Sequence, residues 1–255
     1  MIRVWELLVG PIEVKKVSYN ALHAAFAVVL DTEHRGTTKM WSIGRLRQVA
    51  WGLAAIRVTT IGDDAAQRLI SAWQSSHVFN FSGREAGFVE QPELRAVTSE
   101  SELVDIEPVK AITVQFHSPT TFRIASKSTP LIEPSRVLHS LNGRWNAIFG
   151  RASPGLQAWE ASPEGTAKTW DVAVLSSTWV SDIAGKSTSV RLKKINRLKA
   201  FQGTMSFNFD SEIAACSFTP LWSLASYIGL GSYTTRGLGD IEIVGYQPVQ
   251  PTPPD

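Results

Sequence analysis

Apolar residues recur along this chain with two alternating periods, and the alternation outlines its elements. Met1 to Val9 is apolar-rich and reads as a short strand. Ser18 is placed to cap a helix running to Leu30, with Leu22, Phe26, Val29 and Leu30 as its buried stripe. Asp31 to Thr38 contains Gly36 and reads as a loop. Lys39 to Leu46 and Leu53 to Thr60 follow as strands. Gly62-Asp63 opens a second helix in which Leu69, Ile70 and Trp73 face inward, and Phe79 to Val97 returns as strands. The order strand–helix–strand–strand–helix–strand is that of a ferredoxin-like unit.

Glu100 to Pro108 is polar and acidic and reads as a linker. Beyond it, Ile112 to Phe116 alternates with a period of two, as a strand does. Pro134-Ser135 starts a helix with Val137, Leu138, Leu141, Trp145 and Ile148 on its apolar face. Trp170 to Val180 and Ser189 to Phe209 read as strand-rich. Thr219-Pro220 has the form of a cap followed by proline at the first helical position, with Leu221, Leu224, Ala225 and Ile228 at helical spacing. Asp240 to Tyr246 closes as a strand. The second half therefore repeats the element order of the first. The expected fold is α+β, with two tandem ferredoxin-like (RRM-like) domains at 1–106 and 107–246. Residues 247–255, rich in proline, are expected to form a flexible tail.

Composition narrows the class. Of 255 residues, 44% are hydrophobic and 19% charged, too apolar for intrinsic disorder. The longest apolar stretch, Ala21 to Leu30, is broken by His23 and is half of the roughly 20 residues a membrane span needs. Glu6 interrupts any signal-peptide core. Cys216 is the single cysteine, which rules out an internal disulfide and argues against a cysteine zinc site. The expectation is a soluble cytoplasmic protein.

The net charge of +2 decides little, but its distribution is uneven. Arg191, Lys193, Lys194, Arg197 and Lys199 fall within nine residues that hold no acid. Without those five, 20 of the chain's 25 basic residues remain against 23 acidic ones. A basic strip on a slightly acidic body suits a polyanion, and equally a solvated hairpin face.

The most specific feature is Gly229-Leu230-Gly231-Ser232-Tyr233-Thr234-Thr235-Arg236-Gly237-Leu238-Gly239. Gly229 alone would be explained as the residue that ends a helix. Four glycines in two Gly-Leu-Gly pairs need another reason. Glycines let backbone approach a ligand, exposed N–H groups cradle phosphate, and Arg236 adds a planar cationic fork. The spacing is not that of a Walker loop, and the loop follows a helix where a dinucleotide fingerprint would precede one. No nucleotide cofactor is implied.

This loop resembles the glycine-rich signature of the CRISPR-associated family-six endoribonucleases of the RAMP superfamily, which cut precursor CRISPR RNA within its repeats. Phe116 to Phe122, Pro134 to Trp145 and the Leu22-His23 pair echo the same family. The resemblance implies CRISPR repeat RNA as partner, with other CRISPR effector subunits as further candidates. It also implies RNA contacts at Gly229, Gly231, Arg236, Gly237 and Gly239. Lys193, Lys194 and Arg197 would add phosphate contacts that position RNA without reading its sequence.

RNA supplies its own nucleophile, the 2′-hydroxyl. A protein need only take that proton, return one to the departing 5′-oxygen and stabilise the charge between. Histidine suits both transfers near neutral pH, and lysine or arginine suits the charge. No metal or other cofactor is required, and no metal-ligand cluster stands out. The family places a catalytic histidine in the first-domain region occupied by His23 and His34, with Lys39 where a charge-stabilising lysine would stand. The bland alternatives are a packed helix histidine and a solvated loop histidine, which in general are commoner than catalytic ones. His117 reads as structural, and His77 and His139 as surface positions.

The expected activity is a metal-independent endoribonuclease leaving 2′,3′-cyclic phosphate and 5′-hydroxyl ends. The alternative is a non-catalytic repeat-RNA-binding or scaffold subunit of a CRISPR effector complex. Nine tryptophans invite base stacking, though Trp73 and Trp145 fall on predicted core faces.

Overall fold

The computed structural model describes residues 1–31, 39–125, 127–163, 165–192 and 197–248. The first half runs β1 (Ile2–Gly10), α1 (Tyr19–Leu30), β2 (Trp41–Ala50), β3 (Leu53–Ile61), α2 (Asp63–Gln74), β4 (Val78–Asn80), β5 (Glu85–Phe88) and β6 (Glu93–Thr98). Antiparallel pairing places β3 on one side of β1 and β6 on the other, with β2 outside β3. This is the ferredoxin-like arrangement, with the β4–β5 hairpin added beside the end of β1. Ser18 caps α1 by accepting from the Ala21 N–H, and Leu22, Phe26 and Leu30 are buried against the sheet.

The second half runs α3 (Glu100–Val104), β7 (Val109–Thr120), β8 (Phe122–Ile124), β9 (Lys127–Thr129), α4 (Pro134–Phe149), α5 (Pro154–Glu160), α6 (Ala167–Ser176), β10 (Thr178–Arg191), β11 (Arg197–Phe209), α7 (Glu212–Ile228) and β12 (Ile241–Pro248). Its sheet order β10-β11-β7-β12 repeats the topology of the first. Val137, Leu138, Leu141 and Trp145 of α4 are fully buried, as their spacing requires.

Five sequence expectations are corrected. The acidic linker contains α3, whose Ser99 and Glu102 form a reciprocal capping box and whose Leu103 enters the second core. Trp170 to Ser176 is the end of α6, because Trp170 and Val174 are buried one helical turn apart and Thr166 caps the start. Trp73 is half-buried; alanines 65, 66 and 72 with Leu69 make the inner face of α2. Pro220 lies inside α7, not at its start. The helix begins at Ser211, which caps Ala214, and the nearly continuous burial from Ala214 to Ile228 outweighs the missing N–H. Thr219 Oγ1 donates to the Ala215 carbonyl and accepts from the Val109 N–H, tying this turn to β7. β12 runs through Pro248, two residues into the expected tail.

The halves share buried contacts. Ile2 and Ile61 of the first sheet belong to the core of the second half. A smaller cluster joins Val190, Leu192, Leu198 and Ala200 of the β10–β11 hairpin to Leu238, with Tyr19 of α1 packed against it.

Candidate active site at the junction of the two halves

The glycine loop leaves α7, crosses to the first half and returns into β12. Its four glycines have positive φ, and each stands where a Cβ would collide. At Gly239 that atom would lie 2.0 Å from the Leu230 carbonyl oxygen, and at Gly231 2.5 Å from the Thr121 carbonyl oxygen. At Gly229 it would meet the Gly239 carbonyl at 2.9 Å, and at Gly237 the Leu22 side chain on α1 at 2.9 Å. The interleaved Leu230 and Leu238 are fully buried, in the second core and the hairpin cluster respectively. The loop is therefore a close-packed clasp.

Six of its N–H groups donate to backbone carbonyls of the clasp itself, of α7 and of the chain at and after the end of β7. Leu230 donates to Gly239 O at 2.8 Å, Ser232 to Thr121 O at 2.8 Å and Gly239 to Pro119 O at 3.1 Å. Gly229, Arg236 and Gly237 also donate to backbone carbonyls. Arg144 of α4 braces the clasp from behind, donating to the carbonyls of Ile228 and Gly229 and to Thr234 Oγ1, each at 3.3 Å. Desolvation among these groups lowers the Arg144 pKa to about 10.

The clasp delivers two groups to α1. The Thr235 carbonyl lies 3.1 Å from His23 Nδ1, and the Arg236 guanidinium donates to Asn20 Oδ1 while covering the Tyr233 ring at 5.2 Å. Asn20 also donates to the Leu192 carbonyl, so one amide joins helix, clasp and hairpin. The half-buried His23 ring stacks on Trp41, with centroids 5.4 Å apart and planes at 15°. A carbonyl partner requires the hydrogen on Nδ1, which leaves the lone pair on Nε2. Burial is the largest influence on this imidazole and lowers its pKa; the Thr235 bond opposes that, and the charge of Arg236 adds to it.

Asp31 organises the rim. It accepts from Lys39 Nζ at 2.7 Å and from Trp41 Nε1 at 2.6 Å, linking the end of α1 to the start of β2. Lys39 therefore stands in the same cluster as His23, held by a carboxylate. His34 lies outside the described residues, as do Lys193 and Lys194. Arg197 is exposed and opposite Arg191 in the β10–β11 register, so these two cations sit side by side at the end of the strand pair. Among the described residues, no group of three metal-ligating side chains is close enough to hold an ion. Likewise, no helix among them is long and apolar enough to cross a membrane.

A cleft of about 550 Å³ opens beside the clasp, lined by Tyr19, Arg45, His117, Arg191, Gln202 and Gly237. Arg45 and His117 also line two adjoining hollows of about 450 Å³ each, which bring in Arg47, Arg57 and Lys186. His117 Nε2 lies 2.7 Å from Glu242 Oε2, and Arg57 pairs with Asp240 at 3.0 Å. Arg45, Lys186 and Arg191 make no ion pair among the described residues. These three offer positive charge to the cleft, while Glu6, Asp240 and Glu242 line the hollow that holds Arg47 and Arg57. Sequence reasoning passed over Asn20, Asp31, Trp41, Arg45 and Arg144. Asn20, Arg45 and Arg144 meet partners remote in the chain, whereas Asp31 bonds Lys39 and Trp41 only a few positions on.

The family model described as CRISPR-associated endoribonuclease Cas6 matches residues 114–241. No curated protein matches the sequence. Among solved structures, a Cas6 (TTHA0078) product complex superposes with a TM-score of 0.76 at 19% identity, covering 96% of this chain and 99% of that one. A Cas6 (TTHB231) product complex gives 0.75 at 19% identity, again over 96% and 99%. Thermus thermophilus Cas6 (TTHB231) gives 0.65 at 18% identity, over 94% and 97%. At these identities the likeness is one of fold.

Proposed function

The chain belongs to the CRISPR-associated endoribonuclease Cas6 family, and on that premise we propose that it cleaves precursor CRISPR RNA within its repeats by attack of the 2′-hydroxyl on the adjacent phosphate. The observation that carries this reading is the His23 imidazole, held by Trp41 and the Thr235 carbonyl with its Nε2 lone pair unused by that bond. A lowered pKa keeps such a ring neutral near pH 7, ready to accept a proton.

In this reading His23 takes the 2′-hydroxyl proton. His34, in the segment between Asp31 and Lys39, returns a proton to the 5′-oxygen. Lys39 and Arg236 provide positive charge beside the phosphate as the transition state gathers negative charge. Arg45, Arg191 and Arg197 hold the RNA backbone along the cleft and hairpin, joined by Lys193 and Lys194. The glycines act through shape: they let the clasp close on α1 and carry Thr235 and Arg236 to the histidine. The products are a 2′,3′-cyclic phosphate and a 5′-hydroxyl, with no metal in the chemical step.

Incubation with repeat RNA in excess EDTA tests the mechanism. Cleavage is expected to persist, and to vanish when the nucleotide 5′ of the cut carries a 2′-deoxy sugar. A magnesium requirement, or cutting of the deoxy substrate, would overturn it. The packing of His23 against Trp41 also suits a second reading, a non-catalytic repeat-RNA-binding subunit. Tight repeat binding without cleavage would establish that alternative.

A further inference from the structure

Of the nine tryptophans, Trp5, Trp41, Trp145, Trp170 and Trp222 are buried, Trp73 and Trp159 are half-buried and Trp179 is 49% exposed. Trp51, in the β2–β3 turn, stands apart at 96% exposed. An indole that exposes nearly all of its surface contributes little to the fold. Yet the turn that carries it is firmly held. The two Gln48 Nε2 hydrogens are shared among the carbonyls of Ile12, Ala50 and Leu53, at 3.2, 2.6 and 2.8 Å, and its Oε1 accepts from the Val14 N–H at 2.9 Å. The Ile12 N–H reaches the Gly52 carbonyl at 2.8 Å, and a Cβ at Gly10 would collide with that same oxygen. One side chain thus cross-links the turn to the segment before α1, and the indole is displayed on a rigid mount.

The surroundings are charged and continuous with the cleft. Lys15, Lys16 and Arg84 are exposed before α1 and in the β4–β5 hairpin, with Lys16 paired to Glu13 at 2.7 Å and Arg84 donating to the Lys16 carbonyl at 3.3 Å. Val14, Val17 and Leu46, which line the cleft, lead directly to Gln48. β2 itself runs from Trp41, under His23, past Arg45 and Arg47 to the turn.

We propose that Trp51 is a stacking platform for a base of the single-stranded RNA that leaves the cleft, a contact that rests on the RNA-cleaving reading above. Unpaired bases stack on aromatic faces irrespective of sequence, and an indole 96% exposed on a held turn leaves its faces open to one. Ten residues of strand separate Trp41 from Trp51, at most about 33 Å at roughly 3.3 Å per residue. That span equals about ten stacked nucleotides at roughly 3.4 Å each. The platform therefore serves only RNA with a long enough flank.

The test compares Trp51→Ala, Trp51→Phe and the unaltered protein on repeat RNA with flanks of about 3 and about 14 nucleotides, either side of the span estimated from strand length. Trp51→Ala is expected to weaken binding of the long-flank RNA by about 5- to 100-fold. It should leave the short-flank RNA unaffected, and Trp51→Phe should retain most of the affinity. Tryptophan fluorescence quenched by the long RNA should lose that component in Trp51→Phe. Undiminished affinity of Trp51→Ala for the long-flank RNA, or equal loss on both RNAs, overturns the proposal. So does a change confined to self-association in sedimentation, which would make the turn a protein contact. A protein that cleaves repeat RNA normally while Trp51 proves indifferent to flank length sinks this inference alone. Failure to bind either RNA sinks the functional reading with it.

Discussion

His23 and Thr235 are 212 positions apart in sequence and 3.1 Å apart in space. That contact brings a helix of the first half and a glycine clasp of the second to one imidazole, and it fixes the tautomer of the ring. The same clasp brings Arg236, whose charge disfavours protonation of His23. The site therefore belongs to neither half alone.

Replacing Arg236 removes one of the influences that lower the His23 pKa. In Arg236→Gln the imidazole should titrate at higher pH, as followed by its NMR carbon-bound proton shifts. If, as proposed, the neutral ring takes the 2′-hydroxyl proton, the acid limb of the cleavage profile should move to higher pH in step. In the intact protein that limb should lie below the ordinary histidine range, since burial is the leading influence and acts downward. The folded-state pKa is depressed, so His23 favours the fold above its unfolded pKa and loses that contribution as the pH falls through its folded value.

The glycines of the clasp should differ in cost by what their Cβ would meet. Gly237→Ala presses on the movable end of Leu22 and adds left-handed strain of about 1–2 kcal/mol. Gly239→Ala places a carbon 2.0 Å from a backbone oxygen and should prevent the clasp from closing. Gly52→Ala, with positive φ and open space, should cost the strain alone. Thermal melts are expected to rank them Gly52, Gly237, Gly239 in increasing damage. A phosphate-cradling loop would instead lose RNA affinity in the two clasp variants with unchanged melting.

Asp240 rivets the halves. Its carboxylate accepts from the Arg45 N–H and from Arg57, both at 3.0 Å, and its backbone N–H donates to Ser118 Oγ at 2.8 Å. Asp240→Asn leaves Arg57 without its counter-charge in a largely buried place. The expected loss is about 2 kcal/mol, or roughly 4–8 °C in Tm. Calorimetry with Arg57→Gln alone and with the double variant should give less than additive losses.

Arg144 should matter through the clasp rather than through charge at the cleft. Arg144→Met removes donors from two helix-end carbonyls and from Thr234. A loss of roughly 2–3 kcal/mol is expected by denaturant titration. The cleavage rate at a temperature where the variant is fully folded should fall less than in Arg236→Gln, since no Arg144 donor bonds to His23.

Much of the fold was legible because its signals are local. The stripe of Leu22, Phe26 and Leu30, the cap at Ser18 and the period of two in β7 each specify an element from neighbouring residues. The errors arose where tertiary burial overrode local grammar. Pro220 looks like a helix start, yet the surrounding residues are buried from Ala214 onward and carry the helix through it. Trp170 and Val174 look like strand formers but sit one turn apart against α7. The glycine loop could be read as special, whereas its use as a packed clasp depends on Leu22, Thr121 and Asn20, which no spacing rule connects to it. Asp31, binding Lys39 and Trp41 at once, was invisible for the same reason.

Single-turnover cleavage of repeat RNA by His23→Ala measures the proposed imidazole chemistry at residue 23 most directly. With repeat affinity within about twofold of the unaltered protein, the cleavage rate should fall by roughly 10²–10⁴. An undiminished rate at saturating protein, with the clasp intact by melting temperature, would contradict it.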